Sequence, residues 1–128
     1  MDLPTQSHLK TLRDLLTYRL AELRADVHAA ELARQAASLA ASADVVDRKE
    51  EAAARASAAV DAAQEQRDRD ELDGAVEALR RLDAGTYGDC ASCGEPISLQ
   101  RLLVQPSASR CAACQTLHEH GADAAQAS

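Results

Sequence analysis

The chain is predicted to be mainly α, with a long antiparallel coiled-coil hairpin, a small globular base built around four cysteines, and a short C-terminal helix. Three observations lead there. Two long stretches, from about Ser7 to Ala41 and from about Asp47 to Ala84, hold no proline and, apart from Gly74, no glycine. Phe and Trp are absent and only two Tyr are present, so much of the 46% hydrophobic content is alanine. Alanine buries little area but is the strongest helix former, which favours slender packed helices over a large core. Finally, all four cysteines fall in two close pairs, Cys90-Ala-Ser-Cys93 and Cys111-Ala-Ala-Cys114.

In the first stretch Leu9, Leu12, Leu16, Leu20, Leu23, Val27, Ala30 and Ala37 recur in steps of three and four, with one empty turn at Arg34. This is the stripe of an amphipathic or coiled-coil helix. Thr5 or Ser7 can cap its first N–H groups.

The second stretch begins with a weaker alanine-rich stripe (Ala52, Ala56, Val60, Ala63) and strengthens at Leu72, Val76, Leu79 and Leu82. Gly74 costs this helix about 1 kcal/mol relative to alanine. Gly85 stands where a left-handed cap would end it. Folding the second helix back on the first buries both stripes, with the turn near Ala41-Ser42-Ala43-Asp44. A helix of roughly 35 residues is about 50 Å long, so the hairpin is expected to be a rod. Pairing between two chains would also bury the stripes. Effective concentration favours the partner in the same chain, and therefore a monomer.

Four thiolates in two C-x2-C pairs make a closed tetrahedral cage that leaves no position for water. One structural zinc ion is its expected occupant, with Cys90, Cys93, Cys111 and Cys114 as ligands. Gly94 suits the sharp turn after the first pair. Arg101 and Arg110 are placed to offset the excess negative charge. Iron satisfies the same ligand set. Two disulfides or a redox motif would also use paired cysteines, but a thioredoxin-like motif needs a βαβ context that is absent. His118 and His120 are expected at the surface, because the cage already has four sulfurs. His8 and His28 stand alone on a helix.

The formal net charge of −7 argues against a free-standing DNA reader, which presents a basic face to phosphates. The N-terminus has neither a basic nor an apolar leader region, and no apolar run could span a bilayer, which predicts a cytoplasmic location and no membrane partner. No nucleophile–base pair and no phosphate-cradling glycine loop occurs, so no enzymatic activity is expected. At the expected turn, Asp44-Val45-Val46-Asp47-Arg48-Lys49-Glu50 admits two readings. Asp47 and Glu50 form a D-x-x-E arrangement close to a capping box. Alternatively, Asp44 and Asp47 are carboxylates presented to a hard cation or a basic partner site, with Val45 and Val46 exposed between them.

Gly85-Thr86-Tyr87-Gly88-x-Cys90-x-x-Cys93-Gly94-x-x-Ile97, then Arg101-Leu102, Pro106 and Cys111-x-x-Cys114, together with the Asp44-x-x-Asp47-Arg48 turn, resemble the DksA/TraR family of bacterial transcription regulators. The resemblance implies a C4 zinc finger that, with the N- and C-terminal segments, forms a base for an antiparallel coiled coil. It implies binding to RNA polymerase rather than sequence-specific binding to DNA. The coiled coil would enter the polymerase secondary channel, with Asp44 and Asp47 as the acidic tip near the catalytic Mg²⁺ region.

Two features, at three positions, depart from the family pattern. The best-known tip has an alanine two places after the second aspartate, where this chain has Lys49. Members that respond to the alarmone ppGpp have an arginine just before the finger's proline and a lysine just after the last cysteine. Here those positions are Gln105 and Gln115, so a weak or absent ppGpp response is expected. A zinc-finger and coiled-coil interaction module that does not act on polymerase is the competing expectation. The expected organisation is residues 1–84 as N-terminal segment and coiled coil with a tip near 42–47, 85–120 as the finger with its short helix, and 121–128 as a flexible tail.

Overall fold

The computed structural model describes residues 4–41 and 48–127. Four helices follow in order: α1 (Gln6–Ala41), α2 (Arg48–Ala84), α3 (Leu99–Val104) and α4 (Ala112–Ala127). The expected turn at 42–47, with Asp44 and Asp47, lies outside the described residues. The chain divides into two compact units, one of Met1–Arg19 with Gly74–Ser128 and one of Leu20–Asp73. Each unit therefore draws on both long helices. Among the described residues no helix is long and apolar enough to cross a membrane.

The start of α1 is fixed by a reciprocal cap. The Thr5 hydroxyl accepts from the His8 backbone N–H at 3.3 Å, and His8 Nδ1 accepts from the Thr5 N–H at 3.1 Å. Two of the helix's orphan donors are thus satisfied in the manner of a capping box, with His8 in the place usually held by a glutamate. At its C-terminus, α2 stops in a Schellman motif. Gly85 N–H donates to the Leu82 carbonyl at 3.3 Å and Thr86 N–H to the Arg81 carbonyl at 2.9 Å. Gly85 takes φ +80°, the left-handed conformation that glycine adopts without steric cost.

In the unit formed by the two chain ends, Leu12, Leu16, Ala75, Ala78, Tyr87, Cys90, Ile97 and Leu102 are buried. Each fully buried leucine contributes about 1.5–3 kcal/mol of transfer free energy. On α2 the buried positions are Ala75 and Ala78, while Val76, expected on the core face, is 45% exposed. Steps of three from Leu72 run through Ala75 and Ala78, whereas Val76 falls about 100° round the helix from Ala75. Arg13 pairs with Asp83 at 2.9 Å, bringing the beginning of α1 to the end of α2, as an antiparallel pairing requires.

In the unit of residues 20–73, Leu23 and Val27 are buried, and Arg34 on α1 pairs with Glu65 on α2 at 2.9 Å. A groove of about 530 Å³ between the helices is lined by Asp26, Ala29, Ala30, Ala33 and Ala37 from α1 and by Ala58, Asp61, Ala62 and Asp68 from α2, among others. The expected stripe is thin here, and Val60 is 67% exposed.

The C-terminal helix is longer than the sequence suggests. It passes Gly121 and reaches Ala127, where a tail is expected from 121. The four alanines in 122–127 are strong helix formers and account for the extension.

Candidate metal centre

The first cysteine pair sits in a tight loop between α2 and α3. Cys90 N–H donates to the Glu95 carbonyl at 2.8 Å, and Ile97 N–H donates to the Gly88 carbonyl at 2.7 Å. These bonds form a small antiparallel clasp across the isolated Asp89–Pro96 bridge. Inside it Gly94 N–H donates to the Cys90 carbonyl at 2.9 Å with φ +78°, so the chain reverses directly behind Cys93. The second pair opens α4. The Cys111 carbonyl accepts from Gln115 N–H at 2.9 Å, which puts Cys111 at the helix entrance and Cys114 on its first turn.

Between the pairs lies α3, started by Ser98, whose hydroxyl accepts from Arg101 N–H at 3.2 Å. Tyr87 reaches across to this segment and donates its hydroxyl to the Pro106 carbonyl at 2.8 Å.

These elements bring the Sγ atoms of Cys90, Cys93, Cys111 and Cys114 within 4.8 Å of one another, with Cys93 and Cys111 at 3.9 Å. A tetrahedral ion with metal–sulfur bonds of about 2.3 Å requires sulfur–sulfur edges of about 3.8 Å, so the four cysteines fit one metal ion. The electrostatics agree with the geometry. Backbone N–H groups at Cys111 and Cys93, and then at Ser92, lower the Cys90 thiol to about 6, in the direction of the thiolate that a metal requires. The neighbouring thiols of Cys111, Cys90 and Cys93, in that order, push Cys114 up to about 12. Four sulfurs this close ionise together only around a cation, whose charge reverses that logic. With four protein ligands and no open position, such a site is structural.

The four cysteines that the sequence groups as candidate ligands are neighbours in the structure. The sequence does not reveal the scaffold beneath them: the Ser109 carbonyl (which accepts from Ala91 N–H at 2.7 Å) and Ser92 carry no motif beyond their nearness to the cysteines, and the Gly85-Thr86-Tyr87-Gly88 run does not show that Tyr87 bonds to Pro106. Arg101 and Arg110 are expected to act as charges near the cage. They also donate hydrogen bonds, Arg101 Nε to the Arg110 carbonyl at 2.9 Å and Arg110 Nε to Ser92 Oγ at 3.2 Å. His118 and His120 are exposed, as expected.

Burial has a measurable consequence at Tyr87. Desolvation, opposed in part by the positive charge of Arg81, pushes its hydroxyl from 10.0 up to about 12. The folded protein thus keeps this proton where the unfolded chain loses it. The contribution to stability is complete below pH 10 and is lost as pH rises towards 12. Urea denaturation of the metal-loaded protein across pH 9–12 should show this alkaline loss in the wild type. Tyr87→Phe should be about 1 kcal/mol less stable at neutral pH, because the Pro106 carbonyl loses its partner, and should show a weaker alkaline loss.

A four-cysteine zinc finger joined to an antiparallel two-helix hairpin is the class of protein that fold and site define. Residues 85–120 match the family described as the prokaryotic dksA/traR C4-type zinc finger. Over this segment the chain is similar to the DksA/TraR family. It is 42% identical over 69 residues to the RNA polymerase-binding transcription factor DksA of Caulobacter vibrioides, a match covering 51% of this chain and 49% of that protein. It is 44% identical over 41 residues to the protein of the same description from Haemophilus influenzae, covering 32% of this chain and 28% of that one. In sequence, then, the match spans about half the length of the Caulobacter relative and less of the other. In structure it is similar to transcription factor DksA2 from Pseudomonas aeruginosa, with a TM-score of 0.69 at 29% identity, covering 92% of this chain and 88% of that chain. Zinc is the metal of this finger family, and the four cysteines are positioned to hold one ion of it.

Proposed function

We propose that this chain is a cytoplasmic, DksA-like transcription regulator without enzymatic activity that binds RNA polymerase. Its helical hairpin enters the secondary channel and brings Asp44 and Asp47 near the catalytic Mg²⁺ region, where they modulate initiation. The observation that carries this reading is the likeness to DksA2, which extends over 92% of the chain and so includes the long helices as well as the finger. The net charge of −7 supports docking on a protein rather than on DNA. The metal holds the two cysteine loops together and takes no part in chemistry at the polymerase. Co-purification with RNA polymerase tests the binding. The wild type should be recovered with the polymerase, and an Asp44/Asp47 double substitution should abolish regulation in a purified transcription assay. Absence of the polymerase from the wild-type complex would overturn the proposal in favour of an interaction module with another target.

The same reading includes a weak or absent response to ppGpp. Gln105 and Gln115 line one cleft of about 410 Å³ beside α4, together with Arg101 and Glu119. Gln115 Nε2 donates to Glu119 Oε1 at 3.0 Å, so this amide is engaged with a carboxylate rather than offered to an anion. With Arg101 as the one cation among the lining residues and Glu119 opposing it, a polyphosphate gains little there. Adding ppGpp to a purified transcription assay should leave the regulator's effect within about twofold, the scale of a small change in binding free energy. Strong enhancement would refute this part while leaving the polymerase reading intact.

A further inference from the structure

The two cysteine loops come from separate parts of the chain, and the sulfur cage exists only while the second loop is held against the first. Two hydrogen bonds join the loops directly beside the sulfurs. One is the backbone bond from Ala91 N–H to the Ser109 carbonyl at 2.7 Å. The other is made by side chains, from Arg110 Nε to Ser92 Oγ at 3.2 Å. Ser92 lies between Cys90 and Cys93, and Arg110 immediately precedes Cys111, so this bond links the two ligand pairs one residue away from each. The backbone that launches Arg110 is itself held, because its carbonyl accepts from Arg101 Nε, on α3, at 2.9 Å. Arg101, Arg110 and Ser92 therefore form a chain of contacts running from α3, through the second loop, into the first.

A bound ion leaves a four-sulfur cage when one loop peels back and exposes its sulfurs to water or to a competing ligand. Groups that tie the loops together outside the coordination sphere oppose that opening and leave the ligand set unchanged. We propose that Arg110 is a positioning residue for the metal, acting through Ser92 as a latch that slows opening of the second cysteine loop, with Arg101 holding the latch in place. The directional bond carries the effect, since an arginine presents Nε–H in a fixed plane that a lysine ammonium does not reproduce. The partners are half-buried (Arg110) and exposed (Ser92), so the effect is that of one modest hydrogen bond.

Release of zinc from the full chain to a chromophoric chelator measures the opening, and absorption of the cobalt-substituted protein reports whether the tetrahedral four-sulfur cage is intact. Ser92→Ala and Arg110→Ala are each expected to speed release about threefold to tenfold. The double variant should be no faster than the faster single one, because both remove the same bond. Arg110→Lys should behave like Arg110→Ala, Ser92→Thr should keep the slow rate, and the cobalt bands should persist throughout. Where Arg110→Ala fails to load metal, the comparison of Ser92→Ala with Ser92→Thr decides the question in its place. A wild-type rate in Ser92→Ala, multiplicative effects in the double variant, or restoration by Arg110→Lys would overturn the latch. The last of these would assign Arg110 the role of a simple counter-charge.

Discussion

Asp47→Asn is expected to leave binding to RNA polymerase within about twofold and to remove the effect on initiation. This substitution separates the two roles open to Asp47. The described part of α2 begins at Arg48, so in sequence Asp47 immediately precedes the helix and Glu50 stands three residues on, the arrangement of a capping box. Asparagine caps a helix about as well as aspartate, so the substitution spares that role and removes only the charge. Asp47→Ala, by contrast, removes cap and charge together and costs about 0.5–2 kcal/mol of helix stability. Under the proposed function the carboxylate charge is what acts near the catalytic Mg²⁺ region. Under the same proposal, neutralising one carboxylate among the many contacts of docking alters binding by only a few tenths of a kcal/mol. The measurements are a competition binding assay with polymerase and a run of purified transcription at one promoter. Regulation by Asp47→Asn at the wild-type level would reject the tip mechanism. Loss of binding would mean that Asp47 is a docking residue.

Removing the metal should unfold the finger and leave part of the long helices intact. In the unit formed by the chain ends, the buried apolar set is small and includes the ligand Cys90 itself. Structural zinc contributes on the order of 10–16 kcal/mol to small finger domains at neutral pH, which exceeds what a few leucines supply. Without the cation the sulfurs of Cys90, Cys93, Cys111 and Cys114 remain crowded, and their mutual repulsion on ionisation opposes the fold. None of the four cysteines lies in the 20–73 unit, so its helicity does not depend on the ion directly.

Titration with a strong chelator, followed by near-ultraviolet circular dichroism, checks this, because Tyr87 is buried whereas Tyr18 is 69% exposed. The tyrosine signal should collapse while a substantial far-ultraviolet helical signal persists, and both should return when zinc is restored. Survival of the Tyr87 environment without metal would show that the finger folds on packing alone.

The parts of the fold that are legible in the sequence are those governed by local rules. Gly85 ends α2 by the cap its position suggests, and the cysteine spacing locates the metal centre. Other features depend on partners remote in sequence. Ala75 and Ala78, rather than Val76, are buried, because side-chain volume says less about the buried face than angular position does. His8, which stands alone in sequence, completes a cap with Thr5. The bond from Arg110 to Ser92 spans 18 residues and has no periodic or compositional trace. Gly121 reads as a stop for α4, yet a single exposed glycine costs a helix only about 1 kcal/mol, and the helix continues past it.

Glu65 has a further consequence for the alignment of the two long helices. Alanine seams offer shallow, similar holes at every turn, so the groove formed by Ala29, Ala33, Ala37, Ala58 and Ala62 distinguishes poorly between one register and the next. Glu65 is different: its side chain is only 11% exposed, and it meets Arg34 at 2.9 Å from the other helix and Arg69 at 3.8 Å from its own. A slip of one turn would separate this carboxylate from Arg34 while keeping it largely out of water, a penalty that the alanines cannot impose. Within this unit one charged pair thus supplies the discrimination between registers that the smooth alanine seam lacks, as Arg13 and Asp83 join the same two helices in the other unit.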